Sequence, residues 1–157
     1  MQMVATCIWF DHEAEEAARF YTSLFPNSKI TGVTHYGEAG PGPKGSVLTV
    51  TFQLDGADFI GLNGGPVFPL TPAVSLSIQC WNQEEVDRYW EQLSEGGQKS
   101  RCGWVTDRYG LSWQIVPVAL QEMLNAGEPE KADRAMRAML QMTKLDIATL
   151  QKAYDGG

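Results

Sequence analysis

Ten residues near the start of the chain, EEAARFYTSL from Glu15 to Leu24, are echoed 69 positions later by EEVDRYWEQL from Glu84 to Leu93. Glu15, Glu16, Arg19 and Leu24 recur as Glu84, Glu85, Arg88 and Leu93, and the pair Phe20-Tyr21 recurs as Tyr89-Trp90. Self-similarity at a fixed spacing means that one supersecondary unit is used twice. A chain of 157 residues has room for two small halves built this way.

The segments around each copy follow the same order. VATCIWF (4–10) is apolar and β-rich, and Asp11 after it has the chemistry of a helix N-cap. Ala14, Ala17, Ala18, Tyr21 and Leu24 then recur at helical spacing until Pro26 and Asn27 interrupt them. Residues 29–36 read as a strand, and GEAGPGPKGS (37–46) as a loop by its glycine and proline content. SVLTVTFQL (46–54) and ADFIGLN (57–63) form a hairpin across Asp55-Gly56.

The second half opens with AVSLSIQCW (73–81), whose alternation puts Val74, Leu76, Ile78 and Cys80 on one face and Ser75, Ser77 and Gln79 on the other. Its helix ends at Gly96-Gly97, and GQKSRCGWVTDRYGLSWQIVP supplies two or three short strands with a turn over 108–110. Each half is therefore βαβββ, the second one trimmed. After Pro117 the pattern becomes helical. EPEKADRAMRAMLQM carries an apolar stripe of Ala132, Ala135, Met136, Met139 and Leu140, and Asp146 caps a last helix, IATLQKAY. The expected class is α+β. Residues 1–117 hold paired modules at about 3–63 and 73–116, forming a curved mixed sheet with a cup. Residues 118–157 form a helical extension packed on the same domain or on a partner subunit.

Composition narrows the function classes. A net charge of −7 argues against nucleic acid, whose phosphates demand a basic face. Lysine and arginine are scattered, so no polybasic patch suits a membrane surface, and no apolar run approaches the roughly 20 residues that span one. The start MQMVATCIWFDHE lacks the features of a signal peptide, so the expected location is cytoplasmic. Cys7, Cys80 and Cys102 show no Cys-x-x-Cys spacing; Cys7 and Cys80 are expected to be buried free thiols.

IWFDHEAEEAARFYTSLFPNSKI, FIGLNGGP and CGWVTDRYGLSWQIVP resemble the PhnB-like branch of the vicinal oxygen chelate superfamily, which also holds glyoxalases, extradiol dioxygenases and bleomycin- and fosfomycin-resistance proteins. That branch carries the domain name 3-demethylubiquinone-9 3-methyltransferase. KLDIATLQKAYDG extends the resemblance toward the C-terminus, so that it covers the chain from about residue 3 onward. The resemblance implies a cup on the sheet face away from the helices, often completed across a homodimer. It also implies that metal-using members take ligands from the first and a late strand of each module.

Applying the 69-residue offset to the strands matches Thr6, Ile8 and Phe10 with Ser75, Ser77 and Gln79. The first-strand ligand positions are then Thr6 and Ser75, and the late-strand positions are Gln114 and, less sharply registered, Asn63. Hydroxyls and amides are poor ligands for a divalent transition metal. His12 and His35 fall at a helix start and a strand end, outside the set. Glu15, Glu16, Glu84 and Glu85 complement helix dipoles on the side away from the cup.

The expected function is therefore binding of a small organic molecule, uncharged or weakly polar, in a metal-free cup with no cofactor. Its lining residues are Thr6, Ile8, Phe10, Asn63, Ser75, Ser77, Gln79, Trp104 and Gln114. The competing account of these polar residues is that they satisfy one another in a filled interior. A metal-dependent enzyme of glyoxalase or dioxygenase type is one alternative. The methyltransferase of the domain name is another, although Asn63-Gly64-Gly65-Pro66 leads into no helix that would form an S-adenosylmethionine-binding turn. Whether any reaction is catalysed stays open. A homodimer is expected, on the resemblance and on five tryptophans and five tyrosines. The loop 37–46 is expected to be an exposed flap over the cup, removable at little cost to stability.

Overall fold

The computed structural model describes residues 2–157. The chain falls into two compact units, residues 1–70 and 71–157. The first contains β1 (Thr6–Phe10), α1 (Ala14–Leu24), β2 (Lys29–His35), β3 (Val47–Leu54) and β4 (Ala57–Asn63). The second contains β5 (Ser75–Cys80), α2 (Gln83–Ser94), β6 (Gln98–Lys99), β7 (Trp104–Thr106) and β8 (Ser112–Pro117), followed by α3 (Val118–Asn125), α4 (Pro129–Met139) and α5 (Ile147–Tyr154). The architecture is α+β, with two four-stranded mixed sheets.

The repeat in sequence is a repeat in topology. Strand order is β1-β4-β3-β2 in the first sheet and β5-β8-β7-β6 in the second, the same arrangement used twice. In both, the first strand runs parallel to the last and the others pair antiparallel. Trimming of the second module shows in strand length. β6 and β7 have two and three residues, where β2 and β3 have seven and eight.

Each helix covers one face of its own sheet. Ala14, Ala17, Ala18 and Tyr21 of α1 are buried, and the Tyr21 ring lies 6.4 Å from Phe52, which stacks on Phe59 at 5.4 Å. Small side chains let α1 sit close: a Cβ added to Gly61 would meet the Ala14 Cβ at 3.2 Å and the Phe10 ring at 3.4 Å. In the second unit, Val86, Tyr89, Trp90 and Leu93 of α2 bury against a face containing Ile78, Cys80, Val105, Trp113 and Ile115. Burying a large apolar side chain of this kind contributes about 1.5–3 kcal/mol.

The helix starts differ in how they are capped. α2 has a local cap: the Asn82 side chain accepts from the Glu85 N–H at 2.9 Å, and Glu85 Oε2 accepts from the Trp81 N–H at 2.8 Å. α1 begins at Ala14 after Glu13, and Asp11 does not cap it. Its first N–H donates instead to Asn63 Oδ1 at 2.8 Å, from the end of β4.

The helices after β8 pack onto the second unit. Leu120, Met123, Ala135, Leu145 and Leu150 form a buried cluster, joined by Met139 from the apolar stripe, while Leu140 stays 51% exposed. Gln83 of α2 ties the segment down, donating to the Leu145 carbonyl at 3.0 Å and accepting from the Ile147 N–H at 2.8 Å. Asp146 caps α5 as its position in the sequence suggests, accepting from the Thr149 N–H at 2.9 Å.

The loop 37–46 is exposed along most of its length, yet it is not a loose flap. It wraps the buried side chain of Tyr36: a Cβ on Gly40 or on Gly42 would lie 2.4 Å from the ring, so backbone lies flat against it at both positions. The Tyr36 N–H donates to Ser46 O and the Gly45 N–H to Tyr36 O, each at 2.8 Å. The segment packs structurally.

Candidate functional site

Pairing register decides which strand residues share a face. In the second sheet, Ser75, Ser77 and Gln79 of β5 pair with Ser112, Gln114 and Val116 of β8, and Gln114 and Ser112 pair with Trp104 and Thr106 of β7. All eight alternate with the α2-facing residues and therefore occupy the opposite face. The five residues expected to line the cup from this module, Ser75, Ser77, Gln79, Trp104 and Gln114, do share one face. Gln114 Nε2 donates to Ser75 Oγ at 3.0 Å, and Gln79 Nε2 to Ser77 Oγ at 3.4 Å.

In the first sheet the expected residues lie on the wrong face. Thr6, Ile8 and Phe10 pair with Phe59, Gly61 and Asn63, and Phe52 and Val50 pair with Phe59 and Gly61. This is the face that α1 covers, and Ile8 and Phe10 are only 4% and 3% exposed. Asn63 is a cap and a brace rather than a lining residue of the open face. Besides accepting from Ala14, it donates to the Val47 carbonyl at 3.1 Å, and its own carbonyl accepts from Tyr36 Oη at 2.5 Å.

The error traces to one residue. β1 ends at Phe10 and α1 starts at Ala14, three residues lying between; β5 ends at Cys80 and α2 starts at Gln83, with two between. The helices repeat at 69, but the strands repeat at 70, so Phe10 corresponds to Cys80 and not to Gln79. A one-residue slip moves every strand side chain to the other face. The open face of the first sheet is then Cys7 and Trp9 of β1, Ile60 and Leu62 of β4, Thr49, Thr51 and Gln53 of β3, and Thr34 of β2. By the same correspondence Ser77 and Gln114 match Cys7 and Ile60. Cys7 is exposed rather than buried, and partial burial raises its thiol pKa. Cys80, under α2, is buried as expected and pushed up to about 12 by desolvation, with Glu85 adding to it.

These faces do not suit a transition metal. Among the described residues no group of three His, Cys, Asp or Glu side chains is placed to hold an ion. The open face of the second sheet offers only hydroxyls, amides and an indole. On the first, Asp58 stands alone as a carboxylate, its pKa held below the usual range by hydrogen bonds from the Gln2 N–H and the Gln53 side chain. Hydroxyls and amides bind divalent transition ions weakly, and Cys7 and Asp58 on the first sheet belong to no group of three such ligands among the described residues.

One further feature was missed in the sequence. At the carboxyl ends of β1 and β4 lies a cavity of about 540 Å³, wholly within the first unit. Asp11, His12 and Glu15 form one side, Tyr36, Pro41, Gly42, Pro43, Ser46 and Val47 another, and Asn63, Gly64 and Gly65 the remainder. Glu15 therefore faces a cavity as well as sitting at a helix start. The parallel pairing of β1 with β4 brings the Asp11 segment beside Gly64 and Gly65, whose N–H groups donate to Phe10 O and Asp11 O. No local sequence pattern marks that juxtaposition.

Comparisons with known proteins agree with this architecture. The family model described as 3-demethylubiquinone-9 3-methyltransferase matches residues 2–116. A putative 3-demethylubiquinone-9 3-methyltransferase, a PhnB protein from Bacillus cereus, is 37% identical, with a TM-score of 0.68 over 74% of this chain and 99% of its own. Protein PA1353 from Pseudomonas aeruginosa shares the fold at 18% identity, with a TM-score of 0.61 over 74% of this chain and 98% of its own. The fosfomycin resistance protein FosX from Listeria monocytogenes, solved with Mn(II) and sulfate, shares it at 15% identity, with a TM-score of 0.52 over 73% and 89%. No curated protein gives a significant match. The family match stops just before α3, so the C-terminal helices stand outside it. With the doubled βαβββ topology and a match over most of its length, the chain belongs to the PhnB-like, 3-demethylubiquinone-9 3-methyltransferase family.

Proposed function

We propose that the protein binds a small, uncharged organic molecule on the open face of the second sheet, without a metal ion. The observation that carries this reading is the row Ser75, Ser77, Gln79, Ser112, Gln114 and Trp104, which has no ionisable side chain. It also has more hydrogen-bonding capacity than it uses: Ser112 Oγ, on a residue 1% exposed, has no hydrogen-bond partner. Buried polar groups are normally satisfied, so this hydroxyl leaves a hydrogen bond unmade within the row. The Trp104 indole supplies apolar surface against which a planar group can lie. A charged ligand would find no counter-charge in the row.

The test has two arms. Saturation-transfer NMR with a panel of neutral aromatic and alicyclic fragments should find binders, and Gln114→Leu should weaken them at least tenfold. A panel without binders, or binding indifferent to Gln114→Leu and Ser77→Leu, would overturn the site. Titration with manganese, nickel and zinc should give no stoichiometric tight binding. A tightly held ion lost in Gln114→Leu would replace this reading with the metal-dependent one. S-adenosylmethionine should not bind, because Gly64-Gly65-Pro66 leads through turns into β5 and not into a helix.

We also propose that the protein is a homodimer. Exposed large apolar side chains support it: Val67 and Phe68 are 63% and 62% exposed in the first unit, and Val74 and Trp81 are 66% and 76% exposed in the second.

A further inference from the structure

The open face of the second sheet carries one aromatic side chain, Trp104, and what holds that residue in place lies outside the sheet. We propose that the C-terminal extension sets the affinity of this face by positioning Trp104 through the turn before it; this rests on the reading of the face as a binding site.

Trp104 is the first residue of β7, and little within the module secures it. β6 and β7 pair at two positions, Gln98 with Thr106 and Lys99 with Val105. The turn joining them runs through Cys102 and Gly103 at φ of 59° and 80°, two left-handed residues in succession of which only one is glycine. A residue with a Cβ rarely holds that conformation unaided. In the first unit the equivalent connection is the longer loop 37–46, which braces itself on Tyr36. The second unit has only residues 100–103 there, and its brace comes from elsewhere.

That brace is a strap, the irregular segment 140–146 between α4 and α5. The Cys102 N–H donates to Met142 O at 2.9 Å and the Gly103 N–H to Thr143 O at 2.7 Å. Leu145, 1% exposed, lies against Gly103, where an added Cβ would meet its Cγ and Cδ1 at 3.1 Å. The strap is anchored in turn on α2, which covers the other face of the sheet. Gln83 donates to Leu145 O and accepts from the Ile147 N–H, and Lys144 Nζ pairs with Asp87 at 2.9 Å.

Trp104 follows the braced turn directly. Its N–H donates to Arg101 O at 3.1 Å, and its carbonyl accepts from the Ser100 N–H at 2.9 Å. A change in backbone angle at Cys102 or Gly103 therefore re-aims the indole relative to Gln114, with which Trp104 pairs. Val116, the next open-face residue of β8, also packs against the buried cluster of the extension. Supporting contacts of this kind decide how tightly a site holds its ligand.

The test reads the indole N–H signal of Trp104 in the full chain, assigned by its loss in Trp104→Phe. Gln83→Ala, which frees the strap from α2, should shift that signal and speed amide exchange at Cys102 and Gly103 at least tenfold. It should also weaken the neutral fragments at least threefold. Leu145→Val is a smaller break at the same contact and should move all three readouts the same way, so the test survives if Gln83→Ala does not fold. Leu93, buried at the far end of α2, supplies the control for plain loss of stability. Leu93→Val should leave the Trp104 signal and fragment affinity unaltered. An unmoved Trp104 signal in Gln83→Ala and Leu145→Val, an unchanged affinity despite a shift, or an equal effect of Leu93→Val would overturn the proposal. A panel without binders would overturn the reading of the face instead, and the indole and exchange signals would still decide whether the strap positions Trp104.

Discussion

Asn63 joins three segments that are distant in sequence: the first turn of α1, the start of β3 and the Tyr36 loop. Asn63→Ala should cost about 1–3 kcal/mol, the price of leaving a buried donor and acceptor without partners. Urea unfolding measures it, and an unchanged midpoint would mean water replaces the amide without loss. Cys80 makes a second prediction. Its pKa is raised from 9.0 to about 12 in the fold, so its contribution to stability is complete below pH 9 and is lost as pH climbs toward 12. The stability lost between pH 8.5 and 10.5 should therefore be smaller in Cys80→Ala than in the parent chain. The burial of Cys80 was readable beforehand, whereas the role of Asn63 and the exposure of Cys7 were not. Asn63 looked like one more amide in a strand, because its partner Ala14 lies 49 residues away. In the apolar run of Cys7, Ile8, Trp9 and Phe10, alternation carries no polarity signal to say which side faces the helix.

At the scale of elements, the two helices provide a matched contrast. Asn82→Ala removes the α2 cap and should cost about 0.5–2 kcal/mol. Glu84→Ala on the same helix, exposed and acting only through the dipole, should change stability by about 1 kcal/mol at most. Thermal melts of both separate capping from charge, and equal losses would contradict the assignment. The loop 37–46 makes a sharper case. Deleting residues 41–44 should lower the melting temperature by several degrees, since Gly42 packs on the Tyr36 ring. Gly42→Val should do likewise by steric conflict alone. Element identity was largely legible: amphipathic period, the Asp55-Gly56 turn and the Asp146 cap all fall where the sequence puts them. The length of a strand–helix connection was not, because helical periodicity says nothing about how many residues precede the helix. That single residue misplaced three of the nine expected lining positions, Thr6, Ile8 and Phe10.

For the molecule as a whole, light scattering over a dilution series should return a dimer mass at tens of micromolar. A monomer throughout would leave Trp81 and Phe68 as ordinary exposed side chains. Doubling of the module, and with it the family, was legible because the repeat is carried by helix residues that must pack. The cavity was not, because it arises where β1 and β4 end side by side. That parallel pair also bears on how fast the chain can fold. β3 and β4 meet across a two-residue turn, with Asp55 and Gly56 at φ of 47° and 79°, whereas Thr6 must find Phe59 across most of the module. Loop-closure entropy makes the hairpin the cheaper first contact, and the long-range pairing has to wait for it. Gly56→Ala should accordingly slow refolding with little effect on the unfolding rate, while Ile8→Val should mainly speed unfolding.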